Sequence, residues 1–309
     1  MGTLESFIKR HVIAFGVASI SFSLLFMPFA VSGKTMGDAL EIWPPLLVTA
    51  DSLVDHLSDP NLVVLDARPV EEYNAGHIRG AINLPMLLTY SQEGPRGRIG
   101  PIHYIQALFS SHGIGNDTPV VIYGDKSFID AARVLWTLEV YGHERVGVLD
   151  VSYGEWVDMD YSHDLVAVMP TPKRFIATLK PEKMWTKLSV RLALNKDNKV
   201  LIDTRTSLEY EGQESRTSRY GYIPSAITIP TERNLTMQNG HARIKSLDEL
   251  AQVYGGLDKN KKIVTYCNMG KRASVNYLAL RLLGYDTAQY DGSWIEWSSD
   301  PKMPIARVQ

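Results

Sequence analysis

Residues 262–274 read KIVTYCNMGKRAS, and they join two different patterns around the only cysteine of the chain. The run from Ile263 to Tyr266 is β-branched and aromatic, which is typical of a buried parallel strand. From Val275 onward, apolar residues recur at helical spacing. Cys267 is therefore predicted to open a short loop between the carboxyl end of a strand and the amino end of a helix. Ligands bind at this position in open α/β sheets.

This cysteine loop, residues 267–272, favours a reactive sulfur. A free cysteine thiol has a pKa of about 8.5, and only its thiolate is nucleophilic. A helix amino terminus stabilises an anion by roughly 0.3–1 kcal/mol, and Gly270 allows the backbone to turn several N–H groups inward. Lys271 and Arg272 add positive charge. The alternative is an inert buried thiol, but inert cysteines favour apolar surroundings rather than two neighbouring cations.

Length and composition exclude several classes of protein. The chain has 309 residues, enough for two domains of ordinary size. Its 32 Lys and Arg residues are balanced by 34 Asp and Glu residues, which argues against a nucleic-acid-binding protein with a basic face. The eight histidines lack paired ligand spacing, and one cysteine cannot build a thiolate zinc site. Neither a metal nor another cofactor is expected.

Residues 1–33 are predicted to be a signal peptide or a membrane anchor. Lys9 and Arg10 precede the uncharged run of residues 12–31, whose end offers a small-x-small cleavage site. The run is longer than a usual signal core and just long enough to span a bilayer, so both alternatives remain open. Either one predicts an exported protein, periplasmic or otherwise extracytoplasmic, free or anchored in the inner membrane.

The chain repeats itself with a period of about 140 residues. The matched segments, first copy and then second, are 62–68 and 199–205, 76–85 and 221–230, 120–123 and 263–266, and 150–156 and 291–297. Two copies of this length indicate a domain duplication rather than a solenoid of short repeats. Because the first copy has Gly124 where the second has Cys267, we expect the first to be structural and the second to carry the site.

The alternation of strands and helical patterns in each copy predicts the fold class. We expect an α/β protein of two tandem domains, each with a mostly parallel sheet flanked by helices. Pro170 and Pro172 break regular structure between the copies. The predicted domains are therefore residues 45–168, without the cysteine, and residues 173–309, with it.

These motifs resemble the rhodanese (sulfurtransferase) family in its tandem-domain form. The Asp-x-Arg strand end, the Gly-His-Ile-x-Gly-Ala segment, the cysteine loop and the closing Gly-x-Trp-x-x-Trp stand in the family's order across residues 48–300. The resemblance implies an inactive first and a catalytic second rhodanese-like domain. It also implies that Cys267 takes up sulfur from a small anionic donor as a persulfide, which a thiol or cyanide acceptor then removes.

The resemblance assigns a role to each residue of the cysteine loop. Cys267 would be the nucleophile. The residues that would bind the transferred sulfur are Asn268, Met269, Gly270, Lys271 and Arg272. The two cations could instead be solvated residues of the first helical turn, although the helix dipole disfavours cations at that end.

Two further features have open alternatives. Arg205 matches the second-domain arginine that contacts the anionic donor in tandem members of the family. It could equally form a buried ion pair with Asp203 or Glu209, because an Asp-x-Arg motif recurs in the inactive copy. The polar segment of residues 211–220 either borders the active-site mouth or is a solvated loop.

The loop sequence departs from the familiar tandem patterns and leaves the donor open. Thiosulfate sulfurtransferases typically carry CRKGVT and mercaptopyruvate sulfurtransferases CGSGVT, whereas residues 267–272 read CNMGKR. Its cations favour thiosulfate, a compact dianion, over mercaptopyruvate, which has one carboxylate. A mercaptopyruvate-type enzyme remains the alternative.

Two other functions compete with sulfur transfer. One group of cysteine phosphatases shares this fold, but those enzymes need five residues between cysteine and arginine, whereas four separate Cys267 from Arg272. The smaller loop suits a single sulfur atom. A non-catalytic binding or redox-sensing module is also compatible with the fold. A pure scaffold would have no need of the cysteine-bearing loop.

Overall fold

The computed structural model describes residues 43–94, 97–194 and 196–308. The predicted targeting segment, residues 1–33, lies outside the described residues, so its two alternatives stay predictions. None of the helices in the described part of the chain is long and apolar enough to cross a membrane.

The described part of the first domain contains a five-stranded parallel sheet and a separate two-stranded ladder. Its strands are β1 (Leu47–Val48), β2 (Val63–Asp66), β3 (His77–Ile78), β4 (Ile82–Asn83), β5 (Val120–Tyr123), β6 (Val146–Leu149) and β7 (His163–Asp164). Its helices are α1 (Ala50–His56), α2 (Val70–Asn74), α3 (Ile102–Ser111), α4 (Ile129–Val140) and α5 (Tyr153–Asp158), with a 3-10 helix at Met86–Thr89. The sheet order is β1-β6-β5-β2-β4, and β3 pairs with β7 in a separate antiparallel ladder.

The second domain repeats this arrangement. Its strands are β8 (Met184–Trp185), β9 (Lys199–Asp203), β10 (Ile227–Thr228), β11 (Leu235–Gln238), β12 (His241–Ile244), β13 (Lys262–Tyr266) and β14 (Thr287–Tyr290). Its helices are α6 (Lys187–Ala193), α7 (Ser207–Glu211), α8 (Leu247–Tyr254), α9 (Ala273–Leu282) and α10 (Ser293–Ser299), with a 3-10 helix at Thr231–Asn234. The parallel sheet runs β8-β14-β13-β9-β10, and β11 and β12 form an antiparallel hairpin.

The predicted duplication and fold class are confirmed, down to the strand register. Asp66 lies opposite Tyr123 in the first sheet, and Asp203 lies opposite Tyr266 in the second. The central strands are apolar and buried because helices cover both faces of each sheet. Between the domains, the described residues 165–183 contain no helix or strand.

The two domains share one hydrophobic core, which contains apolar residues of both. At its centre α4 packs against α9, the two helices that follow the equivalent loops of the two copies. Helix α4 is buried along most of its length, so its polar side chains have to be satisfied within the protein. Glu139, for example, accepts a hydrogen bond from Tyr277 and pairs with Arg281 at 2.9 Å. The cysteine loop therefore lies beside the domain interface.

Candidate active site

A buried ion pair holds the strand end from which the cysteine loop starts. Arg205 donates to both carboxylate oxygens of Asp203 at 2.6–3.1 Å and to the Gly221 carbonyl at 2.7 Å. The Tyr266 hydroxyl donates to the same carboxylate at 2.8 Å. The first domain has the same arrangement among Arg68, Asp66 and Tyr123. Its recurrence in a domain without the cysteine indicates a structural role.

Arg205 forms the ion pair with Asp203, which was one of the two roles expected for it from the sequence. The guanidinium also packs on the Trp294 ring, 4.4 Å from its centroid. Its Nη1 atom has no hydrogen-bond partner among the described residues. Donor binding by Arg205 stays a prediction, but its position is already determined by Asp203.

The first two residues of the cysteine loop are held by the start of α10. The Cys267 N–H donates to Ser293 Oγ at 3.3 Å, and the Cys267 carbonyl accepts from the Trp294 N–H at 2.9 Å. The Asn268 carbonyl accepts from the Ile295 N–H at 3.0 Å. The Cys267 residue is only 1% exposed. The closing Gly-x-Trp-x-x-Trp motif therefore positions the cysteine as well as filling the core.

Gly270 makes the turn that closes the loop. Its φ of +73° lies in the left-handed region, and its carbonyl accepts from Ser274 Oγ at 3.0 Å and Gln289 Nε2 at 2.8 Å. A third donor is Arg133 Nη1 of the first domain, at 3.3 Å. A Cβ at this position would lie 2.6 Å from that Nη1 atom. Both the backbone conformation and the close approach require glycine here.

The backbone N–H groups of the loop are left for a ligand. Across a trans peptide, the Gly270 carbonyl and the Lys271 N–H point in opposite directions, so this N–H points away from the donors of the carbonyl. Within the described part of the chain, no N–H from Asn268 to Arg272 donates to a protein acceptor. Helix α9 begins at Ala273, directly after them. N–H groups at such a helix start are suited to an anion.

Glu209 fixes two of the predicted loop residues. Its carboxylate accepts from Asn268 Nδ2 at 2.6 Å and pairs with Arg272 Nη2 at 2.8 Å, and its side chain is 5% exposed. Burial opposes its charge, but the hydrogen bond from Asn268 and the charge of Arg272 lower the pKa of Glu209 to about 2. Burial likewise opposes the charge of Arg272, yet its interactions with Cys267 and Glu209 raise its pKa. The loop cation is thus held against Glu209.

The remaining two loop residues contact the first domain. Lys271 Nζ lies 5.8 Å from the centroid of the Tyr90 ring. Met269 packs so closely on Gly97 that a Cβ there would lie 2.6 Å from the Met269 Cβ atom. The first domain therefore lines one side of the cysteine loop.

The equivalent loop of the first domain is closed by its own side chains. Asp125 accepts from the Ser127 N–H at 2.9 Å and from Ser127 Oγ at 2.6 Å. The carboxylate immediately after Gly124 therefore takes up donors of this loop, and its negative charge opposes the approach of an anion.

A family model of the rhodanese-like domain matches this chain twice, over residues 49–159 and 187–300. The chain belongs to the rhodanese family. The family and the tandem arrangement predicted from the sequence are thereby confirmed.

Relatives and a solved structure match this rhodanese over most of its length. The sulfur carrier protein TtuD of Thermus thermophilus is 31% identical over 283 residues, covering 85% of this chain and 97% of that protein. The "Putative thiosulfate sulfurtransferase SseA" of Mycobacterium bovis is 30% identical, with 85% and 91% covered. The crystal structure of SseA from Escherichia coli, a 3-mercaptopyruvate sulfotransferase, has a TM-score of 0.73 and 26% identity, covering 81% of this chain and 98% of that one.

A cavity adjoins the cysteine loop of this rhodanese. It measures about 410 Å³, and Arg272 and Glu209 line it together with the polar segment of residues 211–220. Within that segment Arg219 does not line the cavity. It donates to the carbonyls of Asp300 and Met303, in the segment that follows helix α10. Arg216 lines the cavity and is mostly exposed.

Sequence reasoning missed several residues that shape the site. Glu209 entered only as a possible partner of Arg205, although Thr206 and Glu209 form a capping box whose Thr-x-x-Glu pattern marks this helix start. Ser293 lies within the closing Gly-x-Trp-x-x-Trp motif, but it was assigned no role of its own. Gln289 and Arg133 gave no signal, because their contacts to the loop are long-range in sequence.

The depressed pKa of Glu209 makes the stability of this region pH-dependent. The folded-state value of about 2 lies below the ordinary value of 4.5, so the carboxylate stabilises the fold fully above pH 4.5. We expect Glu209→Gln to lower the free energy of unfolding at pH 7 by about 1–3 kcal/mol. This difference from wild type should shrink as the pH falls from 4.5 towards 2. Urea denaturation at pH 7 and pH 3 measures it.

Glu211→Gln is the matched control, since Glu211 lies exposed at the end of the same helix. It should change the free energy of unfolding by less than about 0.5 kcal/mol. An equal difference between wild type and Glu209→Gln at both pH values would contradict the assignment.

Proposed function

We propose that this sulfurtransferase takes sulfur from thiosulfate onto Cys267 and transfers it to a thiol or cyanide acceptor. The observation that carries the proposal is that the N–H groups from Asn268 to Arg272, which directly follow the single cysteine, have no protein acceptor among the described residues. The cations Lys271 and Arg272 border the same loop.

The reaction is a double displacement. The Cys267 thiolate attacks the outer sulfur of thiosulfate, the S–S bond of the donor breaks, and sulfite leaves with the electron pair. The acceptor thiolate or cyanide then attacks the terminal sulfur of the persulfide, and the Cys267 thiolate is the leaving group. Splitting one transfer into two displacements is covalent catalysis with ping-pong kinetics.

The loop N–H groups stabilise the charge that remains on the terminal sulfur of the persulfide. Preorganised donors of this kind act as an oxyanion hole does in acyl transfer. The buried environment of Cys267 strengthens each of these interactions, because the local dielectric is lower than that of water.

A mercaptopyruvate-type enzyme is the second candidate. The likeness to the Escherichia coli 3-mercaptopyruvate sulfotransferase supports it. Thiosulfate is preferred because its two charges suit two cations around a small loop, whereas mercaptopyruvate needs a shaped organic pocket.

Replacing the cysteine tests the covalent step. Cys267→Ser is expected to abolish sulfur transfer without unfolding the protein, because the side chains are nearly isosteric. Wild-type protein incubated with thiosulfate should gain the mass of one sulfur atom, and the variant should not. Gly124→Cys placed in the Cys267→Ser background should not restore transfer, because the Asp125 carboxylate occupies the first-domain loop. Restored transfer, or no mass gain in wild type with any donor, would refute the mechanism.

The two loop cations test the donor. A charge pair at about 4 Å and an effective dielectric near 20 is worth roughly 4 kcal/mol before screening and desolvation. If about 1–2 kcal/mol of this attraction remains, thiosulfate is favoured by about tenfold. The rate of transfer from thiosulfate should decline as the salt concentration rises, because salt screens the attraction. Lys271→Ala and Arg272→Ala should each reduce kcat/KM for thiosulfate more than for mercaptopyruvate. Equal losses on both donors, or better use of mercaptopyruvate by wild type, would rule out this electrostatic preference.

We also propose that the protein acts outside the cytoplasm. The basic residues and apolar run of residues 1–33 support export, either with cleavage or as a retained anchor. Cell fractionation should recover the protein in the extracytoplasmic or the membrane fraction rather than in the cytosol. Release by detergent but not by salt, with residues 1–33 retained, would identify the anchor. Recovery in the cytosol would refute both forms.

A further inference from the structure

Arg133 of the first domain reaches into the cysteine loop of the second. It lies in α4, is 0% exposed, and donates to the Gly270 carbonyl at 3.3 Å and to the Gly97 carbonyl at 3.0 Å. Its charge is paired with Asp291 Oδ1 at 3.0 Å. A buried arginine is costly unless it is paired and hydrogen-bonded. These three acceptors satisfy its two terminal nitrogens, while its Nε atom has no hydrogen-bond partner among the described residues.

Of these three contacts, the one between Arg133 and the Gly270 carbonyl bears on sulfur transfer, because Gly270 lies in the cysteine loop. Glycine in the left-handed region has no Cβ to restrain its peptide, so the Gly270–Lys271 peptide can rotate at low cost. Such a rotation would exchange the directions of the Gly270 carbonyl and the Lys271 N–H, so that an acceptor would stand where the loop now presents a donor. Ser274 and Gln289 oppose the rotation from within the second domain, and Arg133 opposes it from the first.

We propose that Arg133 is a positioning residue for sulfur transfer, which holds the Gly270 peptide so that the loop N–H groups face the Cys267 sulfur. The inference rests on the function proposed above. It revises the expectation that the first copy is only structural, since a side chain of that copy completes the support of the active-site loop. The planar guanidinium is needed because its fork reaches three acceptors at once, which a lysine ammonium on a flexible stem cannot reproduce.

The test compares Arg133→Lys with Arg243→Lys. Arg243 crosses the same domain interface from the β11–β12 hairpin, donating to Glu155 at 2.7 Å and to Asp150 at 3.4 Å. In the described part of the chain, its hydrogen bonds and ion pairs do not involve the cysteine loop. Both changes keep the charge and weaken the domain contact, so melting temperature serves as the measure of purely structural damage.

For Arg133→Lys we expect kcat for transfer from thiosulfate to cyanide to fall about tenfold, the loss of roughly one charge-assisted hydrogen bond. KM for thiosulfate should change less than twofold, because the loop cations are intact. The rate of Cys267 alkylation by iodoacetamide at pH 7, measured without any donor, should fall in parallel. Arg243→Lys should keep the wild-type kcat and alkylation rate at a similar loss of melting temperature.

Asp291→Asn provides a second variant if Arg133→Lys does not fold, since it removes the carboxylate that holds Arg133. Asp291→Asn should lower kcat and the alkylation rate, as Arg133→Lys does, but by a smaller factor. Alkylation and turnover equal to those of Arg243→Lys would overturn the proposal. Because alkylation needs no sulfur donor, it tests the positioning role even if wild type uses a donor other than thiosulfate.

Discussion

The buried ion pair of Asp203 and Arg205 determines where the chemistry of this rhodanese can occur. It joins the ends of β9 and β13, and the Tyr266 hydroxyl donates to the same carboxylate one residue before Cys267. Burying two charges costs several kcal/mol per ion unless hydrogen bonds satisfy them. Here the carboxylate accepts from the guanidinium, from the Arg205 N–H and from Tyr266, so the strand end is rigid.

The same pair in the first domain shows that the scaffold and the chemistry are separable. Asp66 and Tyr123 end their strands in the same register as Asp203 and Tyr266, yet the next residue is Gly124 rather than Cys267. A carboxylate then closes the first loop, whereas the second leaves its N–H groups to a ligand. The two copies therefore share the frame of strands and ion pair, and they differ in the few residues that follow the strand.

Whether a feature could be predicted from the sequence depends on how far apart its interacting residues lie along the chain. Strand β13, helix α9 and the duplication were predictable, because hydrophobic periodicity and repeated motifs are local signals. The cysteine loop followed from its own residues. The contact between Arg133 and Gly270 joins residues 137 positions apart, and no local pattern predicts it. Nor could a sequence decide which way the Arg205 guanidinium points, since both roles need the same residue.

The interface also shows what the second domain receives from the first. Asp291 follows β14 at the start of the segment that holds Cys267, and burial raises the pKa of its carboxyl group. Its partners, Arg133 and the Ile99 N–H, both come from the first domain. Without that domain the second would expose this carboxylate and leave the Gly270 carbonyl with two of its three donors. The first copy therefore supplies part of the electrostatic environment of the cysteine loop.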